Sequence, residues 1–199
     1  MDPHQLKVKS GGELKKLGIE IEKKYHLTTE QARYVEDELA AVAASFIGEE
    51  FEENTIYGGG VLDDLAPILR IRRIGSKSIL TFKRRIQNGS DVKHQIEHES
   101  EISDPESIAA ILLELKFSAR IVYEKRRKTW RFKNVEIVLD ELPFGLFMEI
   151  EGSITQISEA EMILGIEDFE VEPQTYPRLA TKLGKKVGDV IEARFENKS

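Results

Sequence analysis

The chain has no cysteine among its 199 residues. That excludes disulfides, thiolate nucleophiles and cysteine-based zinc sites, and it fits a reducing, cytoplasmic setting. A basic excess is also lacking. The formal net charge of −7 argues against a general nucleic-acid binder, which needs a basic footprint. The longest largely apolar stretch, Leu39 to Ile47, is far too short to span a bilayer. Met1 to Lys9 holds no apolar signal-peptide core, so nothing points to export or to a membrane. Gly58-Gly59-Gly60 lacks the Gly-Lys-Ser/Thr of a phosphate-cradling loop and reads as a connector. The length suits one domain with a substantial core, and 40% hydrophobic with 33% charged residues describes a globular chain on the charged side of ordinary. Residues 1–16 read as a polar lead-in, 17–190 as a single domain and 191–199 as a polar tail.

What is present alternates. From Gly18 to Tyr25 one strand face carries Glu20, Glu22 and Lys24 and the other Ile19 and Ile21, with Lys23 and Tyr25 fitting less neatly. Alone, such a charged face is usually a solvated one. Thr28-Thr29-Glu30-Gln31 opens a helix with a capping box, and its apolar stripe Ala32, Val35, Leu39, Val42, Ala43, Phe46 runs to a stop at Gly48. Phe51–Tyr57 is a strand with a strongly acidic start. Ile68–Ile74 and Ser78–Arg85 form a hairpin around Gly75-Ser76-Lys77, with Gln87–Ser90 as the next turn. Lys93–Glu101 is extended, with Glu97 and Glu99 on one face and a surface pair, His94 and His98, on the other. A helix starts at Ser103-Asp104-Pro105. Arg120–Lys128 and Arg131–Leu139 make a long hairpin, Asp140 stands at a strand end, and Leu146–Gly152 repeats the Glu-x-Glu alternation with Glu149 and Glu151. Ser158–Leu164 and Tyr176–Leu183 are helices.

About eight strands joined by hairpins or single helices, with no strand–helix repeat, indicate an antiparallel α+β fold. Glu20/Glu22, Glu97/Glu99 and Glu149/Glu151 share strand faces with Lys24, Arg70, Arg72, Lys83, Arg85, Lys125 and Arg127, while Ile19, Ile21, Leu69, Ile71, Leu80, Phe82, Met148 and Ile150 face the other way. Apolar faces under helices and charged faces inward describe a closed barrel with a wet lumen. Arginine forks and lysines match polyphosphate oxygens. Glutamate pairs repel such a chain unless a hard cation, Mg²⁺ or Mn²⁺, lies between them. The combination points to a metal-dependent enzyme acting on a triphosphate.

The ordered set resembles a known family. Glu20-Ile21-Glu22-Lys23-Lys24 fits an ExExK signature, followed by Leu69-Arg70-Ile71-Arg72, Leu80-Thr81-Phe82-Lys83, Glu97-His98-Glu99, Lys125-Arg126-Arg127, Leu139-Asp140-Glu141 and Phe147-Met148-Glu149-Ile150-Glu151. In this the chain is similar to the CYTH superfamily, the triphosphate tunnel metalloenzymes, which includes class IV adenylate cyclases and thiamine triphosphatases. The resemblance implies an eight-stranded antiparallel β-barrel with flanking helices, a tunnel open at both ends that needs Mg²⁺ or Mn²⁺. By position, Glu20, Glu22, Glu149 and Glu151 would hold metal, one of them positioning water. Glu97 and Glu99 would hold a second ion or orient basic residues. Lys24, Arg70, Arg72, Lys83, Lys125 and Arg127 would grip phosphates, and Arg85, on the strand face of Lys83, would join them. Glu20, Lys24 and Asp140 would carry the chemistry, Asp140 as a support. Tyr57 lies near a functional tyrosine of some hydrolytic relatives, and packing explains it equally well.

Family resemblance does not fix the reaction. The leading expectation is hydrolysis of inorganic tripolyphosphate or thiamine triphosphate. The alternative is cyclisation of ATP to cyclic AMP and pyrophosphate, and a second alternative is a non-catalytic polyphosphate- or nucleotide-binding module. A homodimer is left open.

Overall fold

The opening alternation becomes strand β1 (Ile19–Leu27) in a computed structural model that describes residues 19–65, 67–86 and 93–196. The 1–16 lead-in, Leu17, Gly18, the Gln87–Ser90 turn and the last three residues of the tail lie outside the described residues. Thr28 caps helix α1 (Thr29–Ala41) as expected. Its hydroxyl oxygen accepts from the Gln31 N–H, and the Thr28 N–H donates to the Gln31 side chain. The helix stops earlier than its apolar stripe suggested. Ala43 takes a positive φ of 53°, and Ser45–Gly58 forms a 14-residue strand β2. Phe46 therefore lies on a strand, its ring 5.1 Å from that of Trp130. Aromatic and β-branched residues such as Phe46 and Ile47 favour this pleated, paired surface over a helix.

The chain continues through α2 (Val61–Leu65), β3 (Ile68–Ile74), β4 (Lys77–Ile86), β5 (Lys93–Glu101), α3 (Pro105–Glu114), β6 (Ser118–Phe132), β7 (Val135–Leu142) and β8 (Gly145–Glu151). It ends with α4 (Ile154–Leu164), α5 (Tyr176–Leu183), β9 (Lys185–Val187) and β10 (Val190–Ala193). Two boundaries differ from the sequence reading. β6 runs unbroken through Thr129 and Trp130, and the hairpin turns instead at Lys133, whose φ is 49°. α4 starts four residues before Ser158 because Ser153 and Gln156 build a second capping box there.

Gly59 sits between β2 and α2 with φ +124°, and a Cβ placed on it would lie 2.4 Å from the Lys116 carbonyl oxygen. Gly59→Ala is expected to cost about 1–3 kcal/mol from backbone strain and this close approach. Urea denaturation measures it, and an unchanged midpoint would rule the close approach out.

Eight strands hydrogen-bond in the order β2-β3-β4-β5-β1-β8-β7-β6, all antiparallel, and β6 pairs back with β2 from Ser45↔Arg131 to Gly58↔Ser118. The sheet is a closed barrel, which leaves these eight strands no free edge. β10 adds to β6 in parallel where β7 has ended, with Ile191↔Ile121 and Ala193↔Tyr123, and β9 pairs with β10. Residues 191–193, read from sequence as tail, are thus a strand of the sheet.

α1 and α4 cover the outward faces of β1, β7 and β8, burying Ile21, Ile137, Met148 and Ile150 against Val35, Leu39, Ile157 and Leu164. Each such side chain contributes about 1.5–3 kcal/mol. Lys23 and Tyr25 break the outward apolar pattern for a reason. Both reach Glu161 of α4, the Tyr25 hydroxyl donating at 2.7 Å, which satisfies a carboxylate buried in that interface. α3 covers a second cluster around Tyr57, Ile71 and Leu112, so Tyr57 is a packing residue in this fold. Among the described residues no helix is long and apolar enough to cross a membrane.

Candidate active site

Period-two alternation around a closed barrel sends every second side chain inward. The inward set lines a cavity of about 290 Å³: Glu20, Glu22 and Lys24 from β1, Arg70 and Arg72 from β3, Lys83 from β4, Glu97 and Glu99 from β5, Lys125 and Arg127 from β6, and Glu149 and Glu151 from β8. Register places unlike charges beside one another. Lys24 is the partner of Glu149, Lys83 of Glu97, and Arg127 of Asp140, whereas Glu22 stands opposite Glu151.

Ion pairs follow from that register. Lys83 Nζ lies 2.9 Å from Glu20 and 2.8 Å from Glu97. Arg127 grips Asp140 with two parallel bonds of 2.7 and 2.6 Å and also donates to Glu149 at 2.8 Å. Arg72 donates to Glu99 at 3.1 Å, and Lys24 Nζ is 3.2 Å from Glu149. Burial, and then the hydrogen bond to Glu20, pushes the Glu97 carboxyl up to about 9 against the pull of Lys83. Burial works against the Lys83 charge, but Glu20 and Glu97 raise its pKa above the ordinary value.

Two expected members stand apart from the cavity wall. Arg85 follows Lys83 on the same strand face, yet its side chain is exposed and is not among those lining the cavity. Asp140 is buried behind the wall, saturated by Arg127, Lys125 and the Tyr176 hydroxyl. Outside the barrel, His98 is exposed and His94 half-buried.

Glu52 was hidden in the sequence by the acidic run of residues 49–53, in which alternation cannot be seen. It is 1% exposed and lies 3.3 Å from Lys125, 3.8 Å from Arg72 and 3.9 Å from Arg127. Burial alone would raise its carboxyl, but Lys125, Arg127, Arg72 and Arg70 outweigh burial and hold it well below the usual carboxylate range. Lys125 nonetheless moves below its own ordinary value, because full burial and the neighbouring Arg127 exceed the pull of Asp140 and Glu52.

The tunnel expected to be open at both ends is filled at one of them. Ile56, Tyr123, Leu142 and Phe147, at the ends of β2, β7 and the starts of β6 and β8, form an apolar cluster with Tyr176, Leu179 and Ala180 of α5. Thr175, Tyr176 and Pro177 consequently line the same cavity as the charged residues.

Four buried side-chain atoms have no hydrogen-bond partner among the described residues, Glu52 Oε1, Asn54 Oδ1, Arg70 Nε and Arg72 Nε, whereas Glu97 Oε2 is met by Lys83 Nζ at 2.8 Å. All belong to the barrel interior, and unsatisfied buried polar groups cost enough that they call for an explanation. The carboxylate oxygens that β1, β5 and β8 bring to the cavity are donors that suit Mg²⁺ or Mn²⁺. The crowded Glu20–Glu97 pair, in which burial and the contact with Glu20 raise the Glu97 carboxyl, is a place where a divalent cation would relieve repulsion. No group of three or more His, Asp or Glu side chains converges on one point among the described residues. The arrangement therefore fits a cation held by one or two carboxylates and completed by substrate oxygens, the usual habit of Mg²⁺.

A model of the CYTH domain matches residues 18–186. The chain belongs to the CYTH domain family. Among CYTH relatives it is 29% identical over 151 residues to MJ0240 of Methanocaldococcus jannaschii, a protein named provisionally as an adenylate cyclase, with 73% of this chain and 83% of that protein covered. The solved CYTH-like structure of PH1012 from Pyrococcus horikoshii superposes with a TM-score of 0.70 at 27% identity, covering 80% of this chain and 98% of that one. HpAC1 from Hippeastrum, studied as a candidate adenylyl cyclase and reported to have a dominant triphosphatase activity, shares the fold with a TM-score of 0.64 at 19% identity, over 85% and 98% of the two chains.

Proposed function

We propose that this CYTH protein is a divalent-metal-dependent enzyme that hydrolyses a compact triphosphate, inorganic tripolyphosphate or thiamine triphosphate, inside its barrel. The observation that carries the reading is the cluster of orphaned arginine atoms, Arg70 Nε and Arg72 Nε, buried in a cavity that Lys24, Lys83, Lys125 and Arg127 also line. Donors so disposed match a chain of phosphate oxygens. The cavity is small, about 290 Å³, and its aromatic members Tyr123 and Tyr176 belong to the filled end, where Lys24 Nζ already stands over the Tyr176 ring. Arg70, Arg72 and Lys125 would hold the phosphates, Lys24 and Arg127 would neutralise charge at the end nearest α5, and one or two carboxylates from the set Glu20, Glu22, Glu149 and Glu151 would hold the cation. A bound Mg²⁺ or Mn²⁺ would supply charge neutralisation at the phosphoryl oxygens. In-line geometry imposed on the phosphates by these lysine and arginine side chains, and not a protein nucleophile, would then supply most of the rate.

Cyclisation of ATP is the second reading, favoured by the naming of the M. jannaschii relative. A panel of tripolyphosphate, thiamine triphosphate and ATP with Mg²⁺ or Mn²⁺, products resolved by phosphorus NMR, separates the two. Cyclic AMP as the main product reverses the ranking, and no turnover of any substrate removes the enzyme reading. In the same assay Arg72→Ala is expected to weaken triphosphate binding about tenfold or more, from the loss of a charge-assisted donor. Wild-type affinity would place Arg72 outside the phosphate path.

A further inference from the structure

We propose that Tyr176, the first residue of α5, is a positioning residue of this site: its ring holds the Lys24 ammonium and its hydroxyl holds Asp140. The inference rests on the reading of Lys24 as a phosphate-binding residue. Lys24 Nζ lies 3.6 Å from the centroid of the Tyr176 ring, and Lys125 Nζ lies 5.5 Å from it. An ammonium over an aromatic face is attracted by the ring quadrupole, most strongly when both are out of water. Here Lys24 is 2% exposed and Tyr176 6%. The Tyr176 hydroxyl donates to Asp140 Oδ2 at 2.7 Å, the oxygen that also accepts from Arg127 Nη2 at 2.6 Å.

Two routes therefore run from Tyr176 to one carboxylate. The ring reaches Glu149 through Lys24, at 3.2 Å, and the hydroxyl reaches it through Asp140 and Arg127, at 2.8 Å. A single side chain from a helix outside the barrel thereby fixes a lysine and an arginine at the cavity wall. The segment before α5 adds to this, since Lys24 Nζ also donates to the Gln174 carbonyl at 3.3 Å. A purely filling role for Tyr176 would rest on its edge contact with Phe147, centroids 5.4 Å apart, and phenylalanine would fill that space as well as tyrosine does.

The two roles separate in the full-length protein with Tyr176→Phe and Tyr176→Leu. Without turnover, the ε-methylene signal of Lys24, assigned by its absence in Lys24→Met, is expected to be shifted upfield by the ring. Tyr176→Phe should keep that shift and Tyr176→Leu should lose it. Tripolyphosphate binding, measured by calorimetry, should weaken about threefold in Tyr176→Phe and about tenfold in Tyr176→Leu. The Leu effect should shrink by at least about half in the Lys24→Met background, as coupled residues do. If Tyr176→Leu does not fold, the Phe variant decides, because a filling role leaves its binding unchanged. Wild-type protein that binds no tripolyphosphate overturns the phosphate reading and this inference with it. Wild-type protein that binds, alongside Tyr176 variants that match it in affinity or keep additivity with Lys24→Met, overturns this inference alone.

Discussion

Glu20→Gln is expected to lower metal-dependent triphosphate turnover by at least about a hundredfold while leaving the barrel folded. The substitution keeps the shape of the side chain and removes the charge that a hard cation requires. Stability should move little, and for a local reason. Glu20 stands against Glu97, whose carboxyl is pushed up to about 9 by burial and by that contact. With Glu20 neutral, Glu97 can ionise more readily and remain the partner of Lys83, which sits 2.8 Å away. The loss of the Glu20–Lys83 pair is thus offset by a stronger Glu97–Lys83 pair. Initial rates of phosphate release, Mn²⁺ affinity and the thermal midpoint test this together. Turnover within about twofold of wild type would place the cation elsewhere, and a collapse of the thermal midpoint would make Glu20 a structural residue instead.

The lumen was legible in the sequence wherever charge alternated cleanly with apolar residues. Glu20/Glu22, Glu97/Glu99 and Glu149/Glu151 on three strands, with Arg70/Arg72 and Lys125/Arg127 on two others, require a common charged space once the strands close. Alternation failed as a guide where neighbours blurred it. Glu52 lies among Glu49, Glu50 and Glu53, so that only its pairing opposite Lys125 reveals it as the inward one. Arg85 shows the reverse failure, a residue of the right parity whose side chain is nevertheless exposed and off the cavity wall. Tyr176 carried no strand signal at all. It comes to the site on a helix, through packing of α5 over one barrel end, and no local pattern encodes that contact. The early stop of α1 has the same origin, because pairing of β2 with β6 decides the state of Phe46 and Ile47 against a continuing helical stripe.

Glu52→Gln is expected to destabilise the fold by about 3–5 kcal/mol near neutral pH, the cost of removing one partner from a buried charge cluster. Glu52 and Lys125 are 1% and 2% exposed, so water cannot replace the lost charge, and Arg127 and Arg72 share the deficit. The sign of the pH dependence follows from the depressed Glu52 carboxyl. Its contribution is fully present above the unfolded carboxylate value, about 4.3, and is lost as pH falls through the lower folded value. The gap between wild type and variant should therefore be widest from about pH 5 upward and close progressively in acid. Urea denaturation at several pH values measures it, and a gap below about 1 kcal/mol with no pH dependence would mean that the lumen cations are balanced without Glu52. Tripolyphosphate supplies the same kind of negative charge to the same cations. Its stabilising effect on the thermal midpoint should thus be larger in Glu52→Gln than in wild type, and an equal effect would separate the phosphate path from the Lys125–Arg127–Arg72 cluster.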